Sequence, residues 1–265
     1  MCATHAQVPV PPLPSPSPGL WLTALLIHAP LLLLARRLPL LTPAGWWHAA
    51  LLGTVLWASL GWRGWLAVVA YLMLGSLVTR LGLHQKQIQG LAEGRGGRRG
   101  PENVWGSALV GAVLALMVPF LAGPDQRWLL LGFAASFAAK LADTFGSEIG
   151  KRWGRHAVLI TSGRPVPAGT EGAISAEGTA ASLLGSLVMT LLMTALGLVE
   201  GGAAIVLVGG VGLVATLLES VIGATLQRRL SWLSNELVNA VQTLMAALLA
   251  LVLGPWLLPI SMPAG

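Results

Sequence analysis

Long apolar blocks separated by short polar segments run along almost the whole chain. We interpret these blocks as membrane-spanning helices, and they lie near residues 20–35, 45–61, 64–82, 104–122, 128–149, 176–199, 203–226 and 236–259. Leu and Ala form continuous runs within them, which is typical of α-helices and not of the alternating pattern of transmembrane β-strands. The pattern therefore predicts an all-α, polytopic transmembrane helix bundle of about eight spans, with residues 20–265 forming a single transmembrane domain.

The segment before the first apolar block has a different composition. Residues 1–19 contain six prolines and neither Lys nor Arg. This composition is typical of a disordered or polyproline tail. Because a secretory signal peptide begins with basic residues, we expect the first apolar block to be retained as a span.

The composition agrees with a membrane protein. Hydrophobic residues make up 55% of the chain and charged residues 10%, whereas soluble domains carry about 25% charged residues. The net charge of +6 does not indicate nucleic-acid binding, because basic and aromatic residues are not interleaved. The single cysteine, Cys2, excludes an internal disulfide and any multi-cysteine metal site.

The basic residues divide the connections between spans into two sets. Thirteen of the 16 Lys and Arg residues fall in alternate connections, beginning with Arg36 and Arg37. The other set of connections holds only Arg63 and Arg127, and Lys140 lies within a span. Since Lys and Arg accumulate on the cytoplasmic side of membrane proteins, this division predicts cytoplasmic basic loops and two external termini.

The fifth predicted span carries an unusual density of polar side chains. At about 100° per residue they share one face of the helix or its edge, and they are Ser136, Lys140, Asp143, Thr144, Ser147, Glu148 and Lys151. A charge inside a bilayer is costly unless it is paired or hydrated, so we expect this face to line the bundle interior or a hydrated pocket. The alternative interpretation is a Lys140–Asp143 pair that merely neutralises itself.

The seventh and eighth spans add further polar residues. Glu219 lies about two turns inside span seven, and Gln227 follows on the same helix face. Asn235, Asn239 and Gln242 form a stripe at the start of span eight. Such amide stripes either join helices or bind substrate, and the sequence leaves both roles open.

Two long connections, near residues 83–103 and 150–175, supply the other candidates. In the first, a Gly-rich run containing Arg98 and Arg99 leads directly into span four. A helix N-terminus behind such a run offers backbone N–H groups and fixed charge to phosphate oxygens. The candidate substrate-binding residues in or beside these connections are Lys86, Glu102, Asn103, Thr170, Glu171 and Ser175.

In the predicted topology all these groups meet at one membrane face. Carboxylates suit Mg²⁺, and Lys and Arg suit phosphates. The combination predicts phosphate chemistry on a lipid whose hydrocarbon chain stays in the bilayer. Residues 146–152 do not form a nucleotide-binding Walker loop, because their spacing is one residue short and Arg152 replaces Ser or Thr.

Four blocks of the sequence resemble a known family. They are residues 98–107 (RRGPENVWGS), 140–151 (KLADTFGSEIGK), 167–175 (PAGTEGAIS) and 219–227 (ESVIGATLQ). In these blocks and in their order, the chain is similar to the phytyl-phosphate kinase-like family. This family holds plant and cyanobacterial kinases of the vitamin E pathway and uncharacterised bacterial relatives. The resemblance extends from about residue 45 to the C-terminus.

The resemblance implies a CTP-preferring kinase that converts an isoprenoid monophosphate, typically phytyl phosphate, to the diphosphate with Mg²⁺. The expected metal ligands are Asp143, Glu148 and Glu219. The expected catalytic residues, which hold the metal or neutralise charge on the transferred group, are Lys140, Asp143, Glu148, Arg98 and Arg99. The expected substrate-binding residues are Lys86, Glu102, Asn103, Thr170, Glu171, Ser175, Gln227, Asn235 and Asn239.

Two other functions remain open from the residues. A cytidylyltransferase that forms CDP-lipids would use similar substrates but release pyrophosphate instead of CDP. An ion-coupled carrier would use Lys140, Asp143 and Glu219 in a proton relay. A carrier, however, needs access from both faces, and the outer half of the predicted bundle is poor in polar residues.

Overall fold

The computed structural model describes residues 17–258, and most of them are helical, which confirms the predicted all-α fold. The helices are α1 (Pro18–Ala35), α2 (Pro43–Arg80), α3 (Leu83–Ile88), α4 (Pro101–Met117), α5 (Gly123–Trp153), α6 (Ala176–Ala195), α7 (Gly202–Ile222) and α8 (Asn235–Leu257). A π-helical turn, Gly223–Gln227, continues α7, and 3-10 turns lie at Gly94–Gly97 and Val118–Phe120. The short antiparallel strands β1 (Val158–Leu159) and β2 (Ala173–Ile174) lie between α5 and α6.

The predicted Pro-rich tail lies almost wholly outside the described residues. Ser17 caps α1, since its hydroxyl accepts a hydrogen bond from the Leu20 backbone N–H. Residues 18 and 19 therefore belong to the first helix and not to the tail. Pro18 suits this position, because its ring fixes φ and no N–H donor is needed at the start of a helix.

Seven helices in the described range are long and apolar enough to cross a membrane. The second, α2, is interrupted at Gly61, where φ is 67° and ψ is −164°. This backbone conformation is open almost only to glycine. Trp57 and Trp65 lie on either side of the interruption, and their ring centroids are 5.6 Å apart.

The chain folds back on itself at this glycine. A continuous helix would separate Gly45 from Gly75 by about 45 Å, yet both lie beside Arg99. A Cβ added to Gly45 would lie 2.6 Å from the Arg99 carbonyl oxygen, and one added to Gly75 would lie 2.6 Å from its Nη2. The halves 43–60 and 62–80 are therefore antiparallel, and with the other long helices they give the eight passes that the sequence predicts.

Helix α5 forms the centre of the bundle and packs against α2, α4, α6, α7 and α8. Every residue from 129 to 142 of this helix is buried. A helix that is buried all round belongs to the core of a protein. The polar side chains of α5 are therefore held in the interior by the helices around them.

Small residues let α6 approach α5 closely. A Cβ added to Gly178 would lie 3.0 Å from the Gly146 carbonyl oxygen, and one added to Gly185 would lie 2.8 Å from the Leu141 carbonyl oxygen. Close backbone approach of this kind drives helix association in a bilayer, where the hydrophobic effect between helices is weak. It fixes the polar end of α5 against the start of α6.

The basic connections lie together at one end of the bundle, which we call the basic end. The loop after α1 pairs with the loop before α4, because the Arg99 N–H donates to the Leu40 carbonyl (3.1 Å) and the Thr42 N–H donates to the Arg99 carbonyl (3.0 Å). At the opposite end, Arg127 donates to the Glu200 carbonyl at 3.5 Å. The division of the connections into two sets thus corresponds to the two ends of the molecule.

We expect the basic end to face the cytoplasm. In a Cys2→Ser background, cysteines placed at Ala92 or Ser162 should react with an impermeant maleimide only from the cytoplasmic side. A cysteine at Pro124 should react only from outside, because this residue lies in the first turn of α5, at the opposite end of the bundle. Labelling of the Ala92 and Pro124 variants from the same side of sealed vesicles would contradict the topology.

Candidate functional site

A polar cavity of about 380 Å³ lies at the basic end, enclosed by α4, α5, α6, α7, α8 and the loop before α6. Eleven of the predicted site residues line it, namely Arg98, Arg99, Asn103, Lys140, Asp143, Thr170, Glu171, Ser175, Glu219, Asn235 and Asn239. Four others do not line it, namely Lys86, Glu102, Glu148 and Gln227. The structure therefore brings together residues from four distant parts of the chain.

Lys140 and Asp143 form an ion pair at the base of the cavity. The Lys140 side chain is 7% exposed and that of Asp143 is 18% exposed, so the carboxylate has the better access to the cavity. Lys140 also donates a 2.9 Å hydrogen bond to Oδ1 of Asn239 on α8. Glu219, on α7, lines the same cavity as both members of the pair. The pair is therefore part of a charged cluster and is not isolated.

The two arginines that precede α4 have different environments. Arg99 is 9% exposed, and its Nη1 donates to the Tyr71 hydroxyl at 2.9 Å. Arg98 is exposed, and its Nε lies 3.3 Å from the carbonyl oxygen of Arg95. Within residues 17–258, Arg99 forms no ion pair with a carboxylate. A buried cation without a counter-charge is costly, so Arg99 is the residue best suited to bind an anionic ligand.

Asn103 joins the start of α4 to α8. Its Oδ1 accepts a 2.9 Å hydrogen bond from the Gly100 N–H, and its Nδ2 donates to Oε1 of Glu236 at 3.2 Å. Arg95 donates to the same Oδ1 at 3.2 Å and pairs with Glu102. Glu102 is 43% exposed and lies outside the cavity, so the structure assigns it a contact with Arg95 only.

The loop before α6 closes the cavity on the side of α7. Gly172 has a φ of 76°, and a Cβ added there would lie 2.4 Å from the Ala224 backbone nitrogen. The loop therefore packs directly on the π-helical turn and holds Glu171 at the cavity. Desolvation raises the pKa of the Glu171 carboxyl, Lys151 opposes this rise, and Asp143 adds to it. These three charged groups thus influence one another across the cavity.

Two hydroxyl groups at the cavity also have local structural partners. Thr170 donates to the Pro167 carbonyl at 2.7 Å within its own turn. Ser175 is the N-cap of α6 and accepts a 3.1 Å hydrogen bond from the Gly178 N–H. Asn235, the first residue of α8, is exposed at the cavity rim. Substrate binding by these three residues stays a prediction.

Lys86 and Glu148 form a buried ion pair outside the cavity, with 1% and 2% of their side chains exposed. Lys86 also donates to the Thr79 carbonyl at 2.8 Å. The pair holds α3 against the end of α5. Glu148 also lies 3.9 Å from the ammonium of Lys151, which lines the cavity. Metal binding by Glu148 and substrate binding by Lys86 stay predictions.

We expect Glu148→Gln to destabilise the protein by about 3–5 kcal/mol, because it leaves the Lys86 ammonium buried without a counter-charge. The melting temperature in detergent should fall. A Lys86→Met/Glu148→Gln double variant removes both charges and should recover most of the loss. If the double variant is stable but inactive, the result supports the predicted role of Glu148 as a metal ligand.

The amides near the end of α7 and the start of α8 divide into two roles. Gln242 is fully buried and donates hydrogen bonds of 3.1 Å to the Ala139 carbonyl and to Oγ1 of Thr216. It is therefore a contact between helices, whereas Asn239 reaches Lys140 in the cavity. Gln227 lies in the π-helical turn, and its buried Oε1 has no hydrogen-bond partner among the described residues.

Sequence reasoning missed three residues of the site. Tyr71 supports the guanidinium of Arg99 through its hydroxyl and its ring, whose centroid is 5.3 Å from Cζ. Ser107 lines the cavity one turn after Asn103, and Glu236 holds the Asn103 amide. Tyr71 is the only tyrosine of the chain. A single phenol in an apolar span could have indicated a nearby polar group, since a buried tyrosine hydroxyl usually has a hydrogen-bond partner.

The fold and the cavity define an α-helical integral membrane protein whose ionisable residues are gathered in a polar cavity at one end of the bundle. The family described as integral membrane protein DUF92 matches residues 26–247, and the chain belongs to this family. The family membership predicted from the four sequence blocks is thereby confirmed. No solved structure matches the chain.

Three relatives illustrate the range of the family. An uncharacterised membrane protein of Synechocystis is 50% identical over 233 residues, which cover 87% of this chain and 90% of the relative. The chloroplastic protein VTE6 of Arabidopsis thaliana is 39% identical over 222 residues, which cover 82% of this chain and 66% of VTE6. An uncharacterised membrane protein of Methanocaldococcus jannaschii is 30% identical over 231 residues, covering 87% of this chain and 92% of the relative.

Proposed function

We propose that the protein is a kinase that transfers the terminal phosphoryl group of a nucleotide to an isoprenoid monophosphate. CTP is the expected donor and phytyl phosphate the expected acceptor. The observation that carries the proposal is the polar cavity in which the buried Arg99, without a carboxylate partner in the described chain, lies near the Lys140–Asp143 pair. The likeness to VTE6 and the four blocks of the kinase-like family support it.

The charges of the cavity suit two phosphate groups. Its basic side chains are Arg95, Arg98, Arg99, Lys140 and Lys151. Guanidinium groups bind phosphate through two parallel hydrogen bonds, whereas an ammonium acts as a compact charge. The cavity lies at one end of a membrane-spanning bundle, so that a nucleotide can enter from water while the acceptor keeps its hydrocarbon chain in the bilayer.

The acidic side chains fit a magnesium–nucleotide complex. Mg²⁺ is usually held by one or two carboxylates together with substrate phosphates, and Asp143 and Glu219 offer two carboxylates at the cavity. The described residues contain no group of three His, Cys, Asp or Glu placed to hold a metal ion by themselves. We therefore expect nucleotide phosphates to complete the coordination. Bound Mg²⁺ would neutralise charge on the donor phosphates.

The transfer itself needs positioning more than a strong base. The attacking atom is a phosphate oxygen of the acceptor, which is already ionised near neutral pH. As its bond to the terminal phosphorus forms, the bond from that phosphorus to the nucleotide oxygen breaks, and the nucleoside diphosphate leaves. Arg99 would orient the acceptor phosphate, and Lys140, held by Asp143 and Asn239, would stabilise charge on the transferred group.

The test uses purified protein, Mg²⁺, phytyl phosphate and CTP labelled at either the α or the γ phosphate. Label from the γ position in a lipid diphosphate, with release of CDP, supports the kinase. Label from the α position in the lipid, with release of pyrophosphate, means cytidylyl transfer. Absence of label from the lipid in both cases contradicts both enzymes and favours the carrier. Competition by unlabelled ATP, GTP and UTP tests the preference for CTP.

A further inference from the structure

A second cavity, of about 220 Å³, lies between α1, both halves of α2, and α4. We call it the apolar slot, because Leu, Ala, Val and Trp side chains form most of its walls. Among the described residues that line it, Arg99 is the only Lys, Arg, Asp or Glu. An apolar cavity that ends at one buried cation has the two features needed to bind a lipid with an anionic head.

The apolar slot borders the polar cavity. Arg99, Asn103 and Ser107 line both of them. Asn103 and Ser107 are one helical turn apart, so a single face of α4 borders the two cavities. Away from Arg99, the slot follows the second half of α2 from the level of Gly75 to Trp65, a distance of about 15 Å at the helical rise per residue.

The slot is open to the side of the bundle that faces lipid. Three of its lining residues are also exposed: Leu31 is 36%, Leu38 is 47% and Met73 is 50% exposed. These apolar side chains lie at the end of α1, in the loop after it, and in the second half of α2. A hydrocarbon chain can therefore enter sideways from the bilayer without crossing the polar cavity.

We propose that the apolar slot binds the hydrocarbon chain of the isoprenoid phosphate, with the phosphate held at Arg99. This inference rests on the proposed function, since it places the tail of the same acceptor. Bilayer lipid is as apolar as the slot, so burial of the tail contributes little affinity by itself. The phosphate supplies the affinity, and the slot selects among acceptors by the length and shape of their chains.

The first test fills the slot and leaves the polar cavity unchanged. Ala50 lines the slot, so Ala50→Phe should lower kcat/KM for phytyl phosphate by about tenfold or more. Its kcat/KM for dimethylallyl phosphate, whose chain is too short to reach this depth, should stay near that of wild type. Leu51→Phe is the matched control, because Leu51 is 53% exposed on the outer face of the same helix. If kcat/KM depends on the chain length of the acceptor in the same way in both variants, the slot does not bind the hydrocarbon chain.

The second test does not depend on turnover. A prenyl phosphate with a diazirine at the end of its tail is crosslinked to the wild-type protein, and the labelled peptides are identified by mass spectrometry. Label around His28 or Trp65, which line the far part of the slot, is expected. If these residues are labelled but no phosphoryl transfer is detected, the slot binds the hydrocarbon chain and the proposed kinase activity is wrong. If phosphoryl transfer is detected but the label is confined to other helices, the kinase activity stands and the proposal that the slot binds the hydrocarbon chain is wrong.

Discussion

Replacement of Asp143 by Asn should lower turnover by on the order of a hundredfold to a thousandfold while the protein stays folded. The amide keeps the size of the carboxylate and can still accept a hydrogen bond from Lys140. It lacks the negative charge that a Mg²⁺–nucleotide complex requires. The measurement compares the rate of phosphoryl transfer with the melting temperature in detergent.

A second variant separates chemistry from charge balance. If Asp143 only neutralised Lys140, Asp143→Asn would leave an unpaired ammonium inside the bundle and would mainly reduce stability. Addition of Lys140→Met would then restore both stability and turnover. A double variant with near wild-type turnover would rule out the metal role of Asp143. A stable and inactive single variant that Lys140→Met does not rescue supports it.

Arg99→Lys should reduce kcat/KM for the lipid phosphate by about tenfold to a hundredfold. The ammonium keeps the charge but loses the bidentate hydrogen bonds to phosphate, and a hydrogen bond to a charged group contributes about 1.5–3 kcal/mol. Arg98→Lys should cause a smaller loss, because Arg98 is exposed. The measurement is initial rate against acceptor concentration for both variants.

Both variants keep the positive charge of the loop, so membrane insertion should not change. Tyr71→Phe gives a further comparison, since it removes the hydroxyl that receives the Arg99 hydrogen bond and leaves the ring in place. Tyr71→Phe should reduce kcat/KM for the lipid phosphate by less than Arg99→Lys does. If Arg98→Lys and Arg99→Lys reduce kcat/KM equally, neither arginine binds the phosphate specifically, and both contribute only to the positive charge of the loop.

The polar face of α5 could be predicted because helical periodicity alone decides which residues lie above one another. Lys140, Asp143, Ser147 and Lys151 do line the cavity together. The position of Glu148 could not be predicted in this way. It lies at the edge of the same face, and its orientation depends on Lys86, which comes from a short helix far away in the chain.

The walls of the two cavities depend on contacts between distant segments. The sequence predicts a break between residues 61 and 64, but not that the two halves of α2 and α4 enclose an apolar slot. Equally, the Gly- and hydroxyl-rich character of residues 161–172 is visible in the sequence. Its packing on the π-helical turn through Gly172 requires the close approach to Ala224, which no periodicity indicates.

The reversal at Gly61 determines the direction in which every later helix crosses the membrane. If α2 ran straight through the bilayer, α4 and all following helices would be inserted in the opposite sense. The cavity would then open on the other side of the membrane, away from the side on which we propose that a nucleotide enters. Side chains other than glycine are strained at this φ and ψ, so substitutions at Gly61 should act during insertion. Their effect would be a population of inverted molecules, although the residue lies at the opposite end of the bundle from the cavity.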